Sequence, residues 1–119
     1  MRIGMGQLLV EGGESERNLE RAESLISEAA AQQCDLILLP ETLDLGWTHP
    51  SALNEAEAIP GPRSTIVSQL AKENQLFICC GLTEKEGQRI YNSAILVDRA
   101  GEIILKYRKI NLLGVEQPF

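Results

Sequence analysis

Apolar and polar positions fall along this chain in short blocks whose period changes, and each change marks a new element. Arg2 to Val10 alternates loosely and closes on Gly12-Gly13, the pattern of a strand and a turn. From Ser15 the period becomes helical. Leu19, Ala22, Leu25, Ile26, Ala29 and Ala30 recur on one side, while Glu16, Arg17, Glu20, Arg21 and Glu28 fall opposite. The spacing predicts a helix from Ser15, its N-cap, to about Gln32. Leu36 to Leu39 is then an unbroken apolar run closed by Pro40, as in a strand covered on both faces.

An irregular segment follows from Thr42 to Gly61 and carries Trp47, His49 and two prolines. Loops this long inside a small domain are uncommon and often functional. Pro62 is placed to open a second helix, with Ile66, Val67, Leu70 and Ala71 as its buried stripe. Leu76 to Leu82 reads as another apolar strand, Lys85-Glu86-Gly87 as a turn, and Ile90 to Val97 as the returning strand. Asp98-Arg99-Ala100-Gly101 then makes a hairpin into Glu102 to Tyr107. The order strand, helix, strand, helix, strand, strand, strand is α/β. It predicts a mixed sheet, parallel crossovers first and hairpins after, with both helices on one face. The other face would stay apolar and need a cover, and the pattern offers no further helix to supply it.

Composition narrows the function classes. The 119 residues are the size of one domain, and 11 Lys and Arg against 17 Asp and Glu leave a net charge of −6. That balance argues against a nucleic-acid partner and against docking on anionic lipid, and the apolar runs are too short to cross a bilayer. Cys34, Cys79 and Cys80 are odd in number and two are adjacent, so they form no disulfide framework. The single histidine cannot complete a Cys/His metal cluster, and no phosphate-binding loop is present. The N-terminus lacks a charged segment followed by an apolar run and a cleavage site, and free thiols fit a reducing cytoplasm. The expectation is a cytoplasmic protein without metal.

Two residues stand where chemistry collects. Glu41 directly follows a buried strand, and ligands in open α/β sheets gather beyond the carboxyl ends of strands. A carboxylate there can serve as a general base, or it can be an ordinary solvated loop residue. Lys109 ends the last strand inside Lys106-Tyr107-Arg108-Lys109, a run that ordinarily blunts a sheet edge. Alternation puts Tyr107 and Lys109 on one face and Lys106 and Arg108 on the other, so one lysine can face inward while its basic neighbours stay wet.

Read as a pair, Leu39-Pro40-Glu41 and Tyr107-Arg108-Lys109 resemble the carbon–nitrogen hydrolases, the nitrilase and aliphatic-amidase superfamily. The likeness runs nearly end to end. It takes in Asn18-Leu19 and Ala29-Ala30 in the first helix, Cys34 to Glu41, Pro60-Gly61-Pro62, Tyr91-Asn92-Ser93-Ala94, Asp98 to Gly101, and Tyr107 to Leu112. Asn111 is a mild departure, since several members carry histidine there.

The resemblance implies the N-terminal portion of an αββα sandwich and a Glu-Lys-Cys covalent mechanism on a small amide-type substrate, with no cofactor. Glu41 would be the base and Lys109 the oxyanion stabiliser, and Glu116 would correspond to the second glutamate of some members. The family's nucleophilic cysteine follows the lysine, and no cysteine follows Lys109 here. Cys34 lies at the far end of its strand from Glu41, roughly 20 Å away, and Cys79 and Cys80 read as small buried apolar residues. Residues 1–119 are therefore expected to form a carbon–nitrogen hydrolase domain that stops before its nucleophile. Such a chain is expected to be inactive alone and to form a homo-oligomer or require its missing half. The alternative is a non-catalytic α/β module that self-associates or pairs with a partner through its exposed sheet face. Trp47 and His49 read as structural, and Gly81 as a close backbone approach or a bulge.

Overall fold

A computed structural model describes residues 1–116. Its elements are β1 (Ile3–Met5), α1 (Ser15–Ala31), β2 (Leu36–Leu38), α2 (Ala52–Glu55), α3 (Pro62–Asn74), β3 (Phe77–Glu86), β4 (Arg89–Val97), β5 (Ile103–Arg108) and a closing 3-10 turn, Gly114–Glu116. The five strands form one sheet in the order β1-β2-β3-β4-β5. β1, β2 and β3 run parallel, and β3, β4 and β5 are antiparallel neighbours. This is the mixed sheet expected from the pattern. No described helix is long and apolar enough to cross a membrane.

The core forms on one side of the sheet because both crossover helices lie there. Ala22, Ile26 and Ala29 of α1 and Val67, Leu70 and Ala71 of α3 pack over Ile37, Ile78, Cys80, Leu82, Ile95 and Val97. The opposite face carries Ile3, Met5, Leu38, Leu105 and Tyr107, of which Met5 is 73% exposed and Leu105 56%. Among the described residues nothing covers this apolar face, as the element order predicts.

Four local differences have physical causes. Ser15 is the first helical residue of α1 and Glu14 occupies the cap position without a side-chain bond. Entry to this helix is held instead by Asn18, whose Oδ1 accepts from the Glu11 amide at 2.9 Å and whose Nδ2 donates to the carbonyls of Glu11 and Asp44. β1 stops at Met5 because its partner β2 offers only three residues to pair with. The long loop contains the single-turn helix α2, too short to leave a periodic trace. β3 runs on to Glu86, paired with β4 down to Arg89, although Thr83 to Glu86 are polar. The reason is Glu84, which is buried and satisfied inside the fold: Arg108 Nε reaches its Oε1 at 2.8 Å, Lys106 Nζ its Oε2 at 2.6 Å, and the Ser93 hydroxyl donates at 2.7 Å.

Candidate active site

Glu41 is set by the end of β2 and by one glycine. Beyond β2 the chain still runs beside β3: the Leu39 amide donates to the Cys79 carbonyl, the Gly81 amide to the Pro40 carbonyl, and the Leu43 amide to the Gly81 carbonyl. A Cβ at Gly81 would stand 2.6 Å from both Glu41 Cα and Thr42 N, so only glycine lets the two backbones meet there. Thr42 then takes φ 43°, a left-handed conformation uncommon for a β-branched residue, and turns the chain away immediately after Glu41. The loop that follows is pinned by buried Asp44. Its carboxylate accepts from the Thr83 amide and hydroxyl at 3.0–3.1 Å and lies 3.4 Å from Arg63. Burial pushes the Asp44 carboxyl above its usual range, against these stabilising bonds.

Lys109 arrives from the other side of the sheet. It follows β5, and its amide donates to the Asn92 carbonyl at 2.8 Å, continuing the β4–β5 ladder by one residue. Lys106 and Arg108 point to the helix-covered face, where they meet Glu84, while Tyr107 and Lys109 belong to the free face. This is the alternation that the sequence predicts. Its basic neighbours, however, are not merely wet: Arg108 and Lys106 hold the Glu84 carboxyl down to about 2.

On the free face Lys109 Nζ lies 3.0 Å from Glu41 Oε1 and 3.1 Å from Glu116 Oε1. The three residues singled out in the sequence thus meet at one ammonium group. The two carboxylates, Glu41 first, raise the Lys109 pKa above its ordinary value. Glu116 is buried and crowded with donors: the Leu113 amide at 2.7 Å, Trp47 Nε1 at 2.8 Å, Lys109, and Asn92 Nδ2 at 3.4 Å. Those donors, the Leu113 amide foremost, hold its carboxyl at about 2. Asn92 Nδ2 also donates to Glu41 Oε1 at 2.5 Å. Trp47, Thr48, Ile90, Tyr91 and Leu112 wall a cleft beside Lys109 and Glu116.

Two residues of this cluster were not singled out as site residues in the sequence. Trp47, structural in the sequence reading, donates its indole N–H to Glu116. Asn92 was seen only as part of Tyr91-Asn92-Ser93-Ala94, although period-2 spacing from Ala94 already assigns it to the free face. His49 is structural as expected: it packs against Gly12 and Gly13, and its Nδ1 meets the Ser51 hydroxyl at 2.8 Å.

The thiols fall out differently from one another. Cys80 is buried against the helices, and burial pushes its thiol far up. Cys79, expected to be buried, is half-buried on the free face. It lines the same hollow as Glu41 and Lys109, with its thiol also raised by desolvation. Cys34 lies at the far end of β2, beside Gly4.

A nitrilase from Pyrococcus abyssi is 38% identical over 110 residues, which is 89% of this chain and 42% of that protein. The mouse omega-amidase NIT2 is 32% identical over 118 residues, 98% of this chain and 42% of its own length. An amidase structure from Nesterenkonia sp. superposes with a TM-score of 0.88 at 23% identity, covering 98% of this chain and 46% of that one, and so shares the fold. The chain spans about four-tenths of the length of the curated relatives it matches. The family model for carbon-nitrogen hydrolases matches residues 2–118, and the chain belongs to that family.

Proposed function

We propose that this chain supplies the base and the oxyanion stabiliser of a hydrolase acting on a small amide. The observation that carries the reading is the Lys109 ammonium held between Glu41 and Glu116, at 3.0 and 3.1 Å. Glu116, kept ionised by its donors, holds the lysine protonated and in place. Lys109 then offers a fixed cation to the oxygen of a carbonyl under attack, where charge develops in the transition state. Glu41, half-exposed at the free face, takes the proton of an attacking cysteine thiol as the S–C bond forms. It passes that proton to the leaving amine as the C–N bond breaks, then draws a proton from the water that cleaves the acyl-enzyme.

The nucleophile is not among Cys34, Cys79 and Cys80. In the family the nucleophilic cysteine follows the lysine, and all three precede Lys109; Cys80 is moreover buried against the helices and Cys34 stands at the far end of β2. The 119-residue chain is therefore expected to release no ammonia from a short aliphatic amide. A polypeptide joining these residues to a nucleophilic cysteine is expected to do so, and to lose at least about 100-fold in rate with Glu41→Gln or Lys109→Ala while remaining folded. Ammonia release by the 119-residue chain, or release indifferent to Glu41→Gln, would refute the reading.

The apolar face bearing Ile3, Met5, Leu38, Leu105 and Tyr107 supports a second reading, a module that associates through its sheet. The two are separated by the effect of Glu41→Gln: association through the sheet face does not depend on it.

A further inference from the structure

Glu41 and Glu116 share a cation but differ in which oxygens remain available. Both hydrogen bonds to Glu41, from Lys109 Nζ at 3.0 Å and from Asn92 Nδ2 at 2.5 Å, end on Oε1. Among the described residues nothing donates to Oε2. Glu116 has both oxygens engaged: Oε1 by Trp47, Lys109 and Asn92, and Oε2 by the Leu113 amide. One carboxylate is saturated, and the other is tied by one oxygen only.

We propose that Asn92 is a positioning residue for the Glu41–Lys109 pair: its carboxamide and the lysine together hold Oε1 of Glu41, leaving Oε2 as the oxygen that takes the proton. The inference rests on the reading of Glu41 as base and adds the atom that acts and the residue that selects it. Three features of Asn92 suit it to the task. It stands on β4 between two paired strands, and a side chain on a rigid element places its partner better than one on a loop. Its amide does not titrate, so it donates to carboxylates at every pH at which the site works. Its Nδ2 faces two carboxylates, Glu41 at 2.5 Å and Glu116 at 3.4 Å, an orientation that the opposite flip would turn into oxygen facing oxygen. Aspartate, isosteric with asparagine, would bring a third carboxylate to one ammonium. In the proton transfer itself the thiol S–H breaks and an O–H forms on Oε2, while Oε1 keeps both of its donors.

The Lys109 ammonium reports the effect, because the Asn92 side chain makes no hydrogen bond to Nζ and can reach it only through the carboxylates. The 119-residue chain with 13Cε-labelled lysine gives its titration by NMR. Glu41→Gln is expected to lower the Lys109 midpoint. Asn92→Ser is expected to lower it by about half a pH unit by releasing Glu41, and by clearly less in the Glu41→Gln background. Asn92→Ala is the second variant should serine perturb folding, and backbone amide spectra check the fold of each. If Glu41→Gln lowers the midpoint while neither Asn92 variant moves it, or moves it equally in both backgrounds, the role of Asn92 is overturned and the Glu41–Lys109 pair stands. If Glu41→Gln itself leaves the midpoint unmoved, the pair falls, and the role of Asn92 falls with it.

Discussion

Glu116 shows how much of this site depends on single donors. A surface glutamate beside one lysine would titrate near its ordinary 4.5; this one is held at about 2, chiefly by the Leu113 amide and then by the Trp47 indole and Lys109. Because the folded value is depressed, its contribution to stability is complete above pH 4.5 and is lost as the pH falls from there toward 2. Trp47 is the sole tryptophan, so its indole N–H resonance is assigned without ambiguity. That resonance is expected to shift with a midpoint near pH 2. With Glu116→Gln, the shift should disappear. A midpoint near 4.5 would mean that the donors around Glu116 are not engaged in solution. This indole bond is not legible in the sequence, because 69 residues separate its two ends and no local pattern encodes such a contact.

At the scale of elements, the β3–β4–β5 sheet is locked from within by Glu84, a residue that lies between the predicted strand Leu76 to Leu82 and the predicted turn Lys85-Glu86-Gly87. Arg108 and Lys106 hold its carboxyl at about 2. Their side chains are about 30% exposed and can rehydrate when the carboxylate is removed. Glu84→Gln is therefore expected to cost about 2 kcal/mol at pH 7, the range of hydrogen bonds to charged groups, rather than the larger penalty of a stranded buried charge. Urea unfolding checks the figure. The sign of the pH dependence follows from the lowered carboxyl: the gap between wild type and variant should be full above pH 4.5 and narrow as the pH drops toward 2. A gap that stays constant down to pH 2 would show that the ion pairs contribute nothing. What could be read in advance is what repeats: α1 and α3 from their 3.6-residue stripes, the strands from apolar runs, Gly81 from being a lone glycine in such a run. What could not be read is the polar half of β3 and the cap of α1. In both, a long-range partner (Lys106 and Arg108 for Glu84, Asp44 for Asn18) overrides the local preference.

For the whole molecule, the decisive feature is that, among the described residues, helices cover the sheet on one side only. Helices α1 and α3 cover one face, while Ile3, Met5, Leu38, Leu105 and Tyr107 lie open on the other, where Tyr107 lines the same hollow as Glu41 and Lys109. Apolar surface gathered into one patch drives association in proportion to the area it removes from water. The net charge of −6 opposes the approach of two copies. These opposing effects respond differently to salt, since screening weakens the repulsion within a Debye length and leaves apolar burial intact. The 119-residue chain is therefore expected to self-associate at micromolar concentration, and to do so more strongly at 0.5 M salt than at 0.05 M, as read by sedimentation velocity. Met5→Lys together with Leu105→Lys should restore the monomer without loss of thermal stability, because both side chains are already exposed in the fold and neither contributes to the core on the helix side. A monodisperse wild-type monomer at both salt concentrations would show that this face is not adhesive. Association that weakens as salt rises would assign the contact to charges instead of to the sheet face.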